Sequence, residues 1–162
     1  MKRDSRLSNI LHALLHMTEH EQRCGRPMTS DMLATCLSTN PVVVRRTMAG
    51  LREQGLVVSE KGHGGGWRLA RPMEAVTLGQ VHAALNEPGL LPETPPVEAE
   101  GCLIEAAVND ALSDTYAAAR ALLAARLDSI TLAALAADFS RRLVAHPKRD
   151  LLHAHQRKSD AP

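Results

Sequence analysis

Leu56-Val57-Val58-Ser59-Glu60-Lys61-Gly62-His63-Gly64-Gly65-Gly66-Trp67-Arg68-Leu69-Ala70 is the stretch that decides how the chain folds. Leu56 to Ser59 is short and β-branched, Lys61 to Gly66 is a glycine-rich turn, and Trp67 to Ala70 is a second short strand. The stretch therefore predicts a β-hairpin. The residues before it repeat at helical spacing instead. Val44, Met48 and Leu51 mark the buried side of a helix that Asn40 caps, that Pro41 opens at its first position, and that Gly55 stops in the left-handed conformation. Ahead of it, Met32, Leu33, Cys36 and Leu37 give a shorter helix an apolar face. Thr29 or Ser30 caps that helix, Asp31 sits where the dipole favours an acid, and it ends within Ser38-Thr39-Asn40. Leu7, Ile10, Leu11, Leu14 and Leu15 predict a first amphipathic helix from Ser5 to about His20, broken by Gly25, Arg26 and Pro27.

Two helices, a three-residue turn, a third helix and a hairpin are the ingredients of a winged helix-turn-helix. The expected fold class is mainly α, helices plus a two-stranded β wing, with a long C-terminal dimerisation helix. After the wing, Thr77 and Gln80 form a capping box, and Val76 with Val81 a hydrophobic staple, for a fourth helix ending near Asn86. Pro88, Pro92, Pro95 and Pro96, with Glu93, Glu98 and Glu100, make residues 87–101 an acidic linker. A long helix follows from about Cys102 to Leu127, its stripe running through Ile104, Val108, Leu112, Thr115, Ala119, Leu122 and Arg126. A last helix from about Thr131 to Val144 carries Leu132, Leu135, Phe139 and Leu143. The expected organisation is a DNA-binding domain over 1–86, the linker 87–101, a helical dimerisation region over 102–146 and a flexible polar tail over 147–162.

Of the 162 residues, 44% are hydrophobic, so a buried core is available, but only 2% are aromatic: Trp67, Tyr116 and Phe139. That scarcity disfavours an ordinary enzyme pocket and a base-stacking RNA surface. No apolar run approaches a membrane span, and the basic start of the chain is not followed by a signal-type apolar core, because His12 and His16 interrupt the leucines. The sparse, odd cysteines Cys24, Cys36 and Cys102 are no disulfide framework, and a reducing cytoplasm is expected. The formal charge of +1 hides a segregation. Residues 1–72 hold eleven Lys/Arg against six Asp/Glu, and residues 73–140 two against ten. A basic front is what a polyanion meets, although charge also fluctuates along any surface.

The candidate DNA contacts follow from the third helix. With Val44, Met48 and Leu51 inward, Val42, Arg45 and Arg46 lie outward, beside Thr39, Asn40 and Pro41 at the helix start. Arginine takes guanine bidentately or clamps a phosphate, and the first backbone amides offer a further phosphate site. The hairpin tip, Lys61, His63 and Gly64, suits a wing along the DNA backbone or in the minor groove. His12, His16 and His20 share a stripe with metal-ligand spacing, but no acid or cysteine completes a site within that helix, and a half-exposed polar face accounts for them. No nucleophile-and-base arrangement stands out, so no enzyme is expected.

Leu51-Arg52-Glu53-Gln54-Gly55-Leu56-Val57, with Lys61 to Pro72 after it, resembles the wing signature of the Rrf2 family of winged-helix transcriptional regulators. Thr77-Leu78-Gly79-Gln80-Val81 is similar to the segment that follows the wing there. Ser38 to Arg46 resembles the start of the recognition helix in members without an iron–sulfur cluster. The resemblance implies a homodimer on a palindromic operator, with the long helix as the main dimer contact. Cluster-holding members carry three closely spaced cysteines before the long helix. This chain has only Cys102 there, and a cluster needs about four ligands, so neither a cluster nor any other cofactor is expected. Cys102 is a thiol sensor for a small oxidant or electrophile, or simply a small residue starting a helix. Besides a DNA-binding repressor, two other classes stay open: a winged-helix protein-interaction module, and a metal- or thiol-dependent enzyme.

Overall fold

Three helices bring their apolar stripes together before any strand is involved. The computed structural model describes residues 5–62, 64–85 and 103–145. In it, α1 (Ser5–Cys24), α2 (Ser30–Cys36) and α3 (Pro41–Glu53) enclose Ile10, Leu14, Met17, Leu33, Val44, Met48 and Leu51. α1 runs a turn further than its leucines predict, because Met17 extends the buried stripe and Gly25, at φ +66, is the first residue that ends it. Thr29 rather than Ser30 caps α2: its Oγ1 accepts from the Met32 N–H at 3.2 Å. The Ser30 hydroxyl is used elsewhere, accepting from the Trp67 indole N–H at 3.0 Å.

The wing pairs β1 (Val57–Glu60) with β2 (Gly66–Leu69), antiparallel, from Val57↔Leu69 to Glu60↔Gly66. Both strands sit one residue nearer the turn than hydrophobicity suggests. The reason is Leu56, whose N–H turns back to the Leu51 carbonyl at 2.9 Å and closes α3. The segment before α2 adds a one-residue third strand. Met28 donates to the Trp67 carbonyl at 3.2 Å and accepts from the Trp67 N–H at 2.9 Å. This close approach explains the glycine ahead of the tryptophan, since a Cβ on Gly66 would lie 2.6 Å from the Met28 carbonyl oxygen and 2.8 Å from its carbon. Both are backbone atoms that cannot swing aside. Gly66→Ala is therefore expected to lower the unfolding free energy by about 1–3 kcal/mol, measured by urea denaturation. An unchanged midpoint would show that the segment yields freely.

The C-terminal elements are α4 (Leu78–Ala84), α5 (Leu103–Asp128) and α6 (Leu132–Ala145). Thr77 and Gln80 make the expected capping box, and Val76 and Val81 are both buried. The end of α5 and the start of α6 are stitched to α4: Leu78 donates to the Ile130 carbonyl and Leu132 to the Val76 carbonyl, each at 2.9 Å. Gly79 leaves room there, because a Cβ on it would fall on the Asp128 carboxylate. Leu132 is fully buried in the same core as α1 to α3, with Leu135 packed against it. α5 packs on α4 yet buries none of its own residues completely.

Candidate nucleic-acid interface

The start of α3 is fixed by three local devices. Ser38 takes φ +50 and reverses the chain. Thr39 donates its N–H to the Ala34 carbonyl at 2.9 Å. Asn40 Oδ1 accepts from the Val42 N–H at 2.8 Å, with Pro41 at the first helical position. Val44, Met48 and Leu51 are buried as their spacing requires. Helical geometry then leaves Val42, Val43, Arg45 and Arg46 outside, and all four are exposed, Val42 at 62%. Exposed β-branched residues add nothing to a core and little to helix propensity. Among the described residues neither arginine is in an ion pair, so both guanidinium groups face solvent with their donors available.

The structure adds two residues that the sequence reading missed. Arg6 and Asn9 of α1 share a cavity of about 150 Å³ with Thr39, Val43 and Thr47, beside the exposed start of α3. Both lie off the leucine stripe of α1, and a search for polar residues on that helix's solvent side would have found them.

At the wing tip Lys61 is exposed, and Gly62 and Gly64 take φ +100 and +86, a region closed to most side chains. The Gly65 N–H donates to the Gly62 carbonyl at 3.0 Å and closes the turn. His63 lies outside the described residues. Thr39 to Val43, with Arg45 and Arg46, thus form one contiguous surface, and Lys61 and Gly64 a second one at the end of a hairpin whose β1 packs on α3. Arg68, basic and in β2 of the wing, is held by two carboxylates. Its Nη1 donates to Glu21 Oε1 at 2.5 Å, and its Nε lies 2.5 Å from Glu60 Oε1 as an ion pair rather than an aligned hydrogen bond. It clamps the wing to the end of α1.

A sequence model of the Rrf2 family, described as iron-dependent transcriptional regulators, matches residues 3–138. The chain belongs to the Rrf2 family. An HTH-type transcriptional regulator of Haemophilus influenzae, itself only provisionally assigned, is 43% identical over 44 residues. That stretch is 27% of this chain and 29% of the relative, less than a third of its length. The fold agrees with that of a Lactobacillus plantarum protein provisionally assigned as a transcriptional regulator (TM-score 0.66, 25% identity, covering 93% of this chain and 96% of that one). It also matches CymR, the global cysteine regulator of B. subtilis (TM-score 0.61, 22% identity, covering 85% and 95%). The second likeness is one of fold alone. This Rrf2 protein is mainly helical with a two-stranded wing, as its sequence predicts.

The family description raises iron, and the described residues include two cysteines, at the ends of different helices. Cys24 is exposed at the end of α1 and Cys36 packs against the core at the end of α2, while Cys102 lies outside the described residues. Among the described residues no group of three or more His, Cys, Asp or Glu side chains is placed to hold a metal ion. His12 and His16 do meet, Nε2 to Nε2 at 2.9 Å with ring centroids 4.5 Å apart. One ring donates to the lone pair of the other.

Proposed function

We propose that this Rrf2 protein is a sequence-specific repressor that binds a palindromic operator in double-stranded DNA as a homodimer, in the cytoplasm and without an iron–sulfur cluster. The observation that carries the reading is the start of α3. A capped helix N-terminus presents Val42, Val43, Arg45 and Arg46 to solvent with no role in the core and no internal partner. Arginine and exposed methyl groups are what a major groove recognises, the latter by contact with thymine methyls. Thr39, Asn40 and Pro41 set the register, Arg6 and Asn9 lie where the DNA backbone would pass, and Lys61, His63 and Gly64 at the wing tip suit the adjacent backbone or minor groove. Selection from a random DNA pool should yield an inverted repeat, and binding should fall steeply with salt. A protein that binds no DNA at low salt, or that enriches no sequence, overturns the reading. No binding to DNA with capture of a protein partner would favour the interaction-module alternative.

The dimer follows from α5. Ile104 is 78% exposed and Leu122 75%, with Val108 and Leu112 between them on the same stripe. Exposed apolar side chains in a continuous line are covered by a partner, and in a homo-oligomer the same patch meets itself about a two-fold axis. Leu122→Glu is expected to weaken the dimer by about 2 kcal/mol and operator binding with it, read by light scattering and gel shift. A wild type that is monomeric at micromolar concentration would refute the dimer.

The effector reading rests on Cys102, the one cysteine between the wing and the long helix. Peroxide or an electrophile should release operator DNA from the wild type and not from Cys102→Ser. Equal release from both leaves Cys102 a packing residue.

A further inference from the structure

We propose that His12 and His16 form a binding site for a divalent transition-metal ion that favours right-angle coordination, copper(II) or nickel(II). The two residues stand four apart on α1, the spacing that puts two imidazoles on one helix face. Their Nε2 atoms are 2.9 Å apart and their ring centroids 4.5 Å. Two imidazole nitrogens at about 2.1 Å from one ion, and at a right angle to each other, lie about 3.0 Å apart with ring centroids about 4.6 Å apart. At the tetrahedral angle the nitrogens lie about 3.4 Å apart. Both distances in this pair therefore match the right-angle arrangement. A straight hydrogen bond between the same nitrogens would hold the centroids about 5.2 Å apart, so the rings are bent off the line that a hydrogen bond alone favours.

The donor chemistry selects the same ions. Imidazole nitrogen suits copper, nickel and zinc, whereas magnesium and calcium take oxygen ligands. Copper(II) and nickel(II) adopt square-planar or tetragonal sites, in which neighbouring ligands stand at right angles. The contact between the two rings needs a proton on one Nε2. An ion takes the place of that proton. The donor ring then carries its hydrogen on Nδ1, and both Nε2 lone pairs face the ion. No electron is transferred, and two neutral rings release no net proton.

His12 is exposed and His16 half-buried. Both belong to the wall of a groove of about 520 Å³ between α1, the 3-10 turn at Met73–Ala75 and α6. Two imidazoles leave coordination positions free, and the groove admits water or a small chelating molecule to fill them. Among the described residues no lysine or arginine lines it, so no fixed ammonium or guanidinium opposes the ion. The support is firm, because Ala13, Leu14 and Met17 of the same turns are buried in the core. α1 also carries Arg6 and Asn9 near its start and Glu21, the anchor of Arg68, near its end. An ion joining two turns between them stiffens the helix that connects those places. This consequence rests on the DNA-binding reading; the metal site does not.

Nickel(II) alone is the probe, titrated into the full chain by calorimetry. Its Kd should be about 1–100 µM, since two ligands supply about half the free energy of a four-ligand site. His12→Gln and His16→Gln should each weaken it at least about tenfold. His12 is exposed, so its variant folds even if the half-buried His16 proves sensitive, and circular dichroism checks both. His20→Gln, next on the stripe but not part of the groove wall, should bind like wild type. Paramagnetic nickel(II) should broaden the imidazole NMR signals of His12 and His16 before those of any other histidine, which separates this site from ions held by cysteine. Because the pair exists only while α1 is helical, nickel should raise the urea midpoint of the wild type and leave that of His12→Gln where it is. Zinc should bind at least about threefold more weakly than nickel, and magnesium not at all at millimolar concentration. Unchanged nickel affinity in His12→Gln, an equal loss in His20→Gln, or zinc bound as tightly as nickel would each overturn the right-angle site. DNA binding measured on the same samples separates the two readings. DNA binding without nickel binding overturns this inference alone, and nickel binding without DNA binding overturns only the operator reading.

Discussion

Leu132→Ala should lower the unfolding free energy by about 2–5 kcal/mol. Leu132 is the first residue of α6, yet its side chain is 0% exposed and sits in the core formed by α1, α2 and α3. Truncation removes the transfer energy of a fully buried leucine and leaves a cavity whose walls are held by three helices, so little collapse can refill it. The backbone adds to the effect, because the Leu132 N–H is hydrogen-bonded to the Val76 carbonyl at 2.9 Å and fixes the side chain in place. The loss should appear in urea denaturation as a lower midpoint with little change in slope. Val144→Ala, on an exposed residue of the same helix, is the control and should change nothing measurable. If both variants behave alike, α6 is not anchored where the geometry places it.

Replacing Arg45 and Arg46 together by alanine should cost operator binding about 2–6 kcal/mol, taking roughly 1–3 kcal/mol for each arginine that reads a base. Neither has an ion pair to lose within the described structure, so the variant should melt like the wild type. The dependence on salt distinguishes the roles. An arginine that neutralises a phosphate flattens the salt slope by about one and weakens all sequences alike, whereas one that reads guanine relaxes specificity at a single position. Unchanged affinity with unchanged slope would remove α3 from the interface.

Most of the fold was legible because local signals agreed with one another. The Asn40-Pro41 start, the Val44-Met48-Leu51 stripe and the Thr77–Gln80 capping box each name an element and its boundary, and each is realised. What escaped the sequence depends on pairs far apart in the chain. The Met28 bridge to Trp67, the Arg68 clamp to Glu21 and the seat of Leu132 against the first three helices carry no local period that reveals them. The strand shift has the same origin: hydrophobicity marks Leu56 as a strand residue, but its N–H is already committed to closing α3. At the candidate interface the α3 residues were readable because one helix holds them all. Arg6 and Asn9 could be read as polar residues on the solvent side of α1, but their place beside Thr39 and Thr47 follows only from folding.

α5 has 26 residues and completely buries none of them. A helix of that kind gains little from its own protomer and opens easily when nothing lies against its apolar stripe. For the proposed dimer this makes turnover depend on pairing. An unpaired subunit exposes a long, readily opened segment to proteases, and a paired one does not, so surplus copies are trimmed while assembled ones persist. Operator occupancy would then rise more steeply than the rate of synthesis, because the fraction of subunits surviving rises with their own concentration.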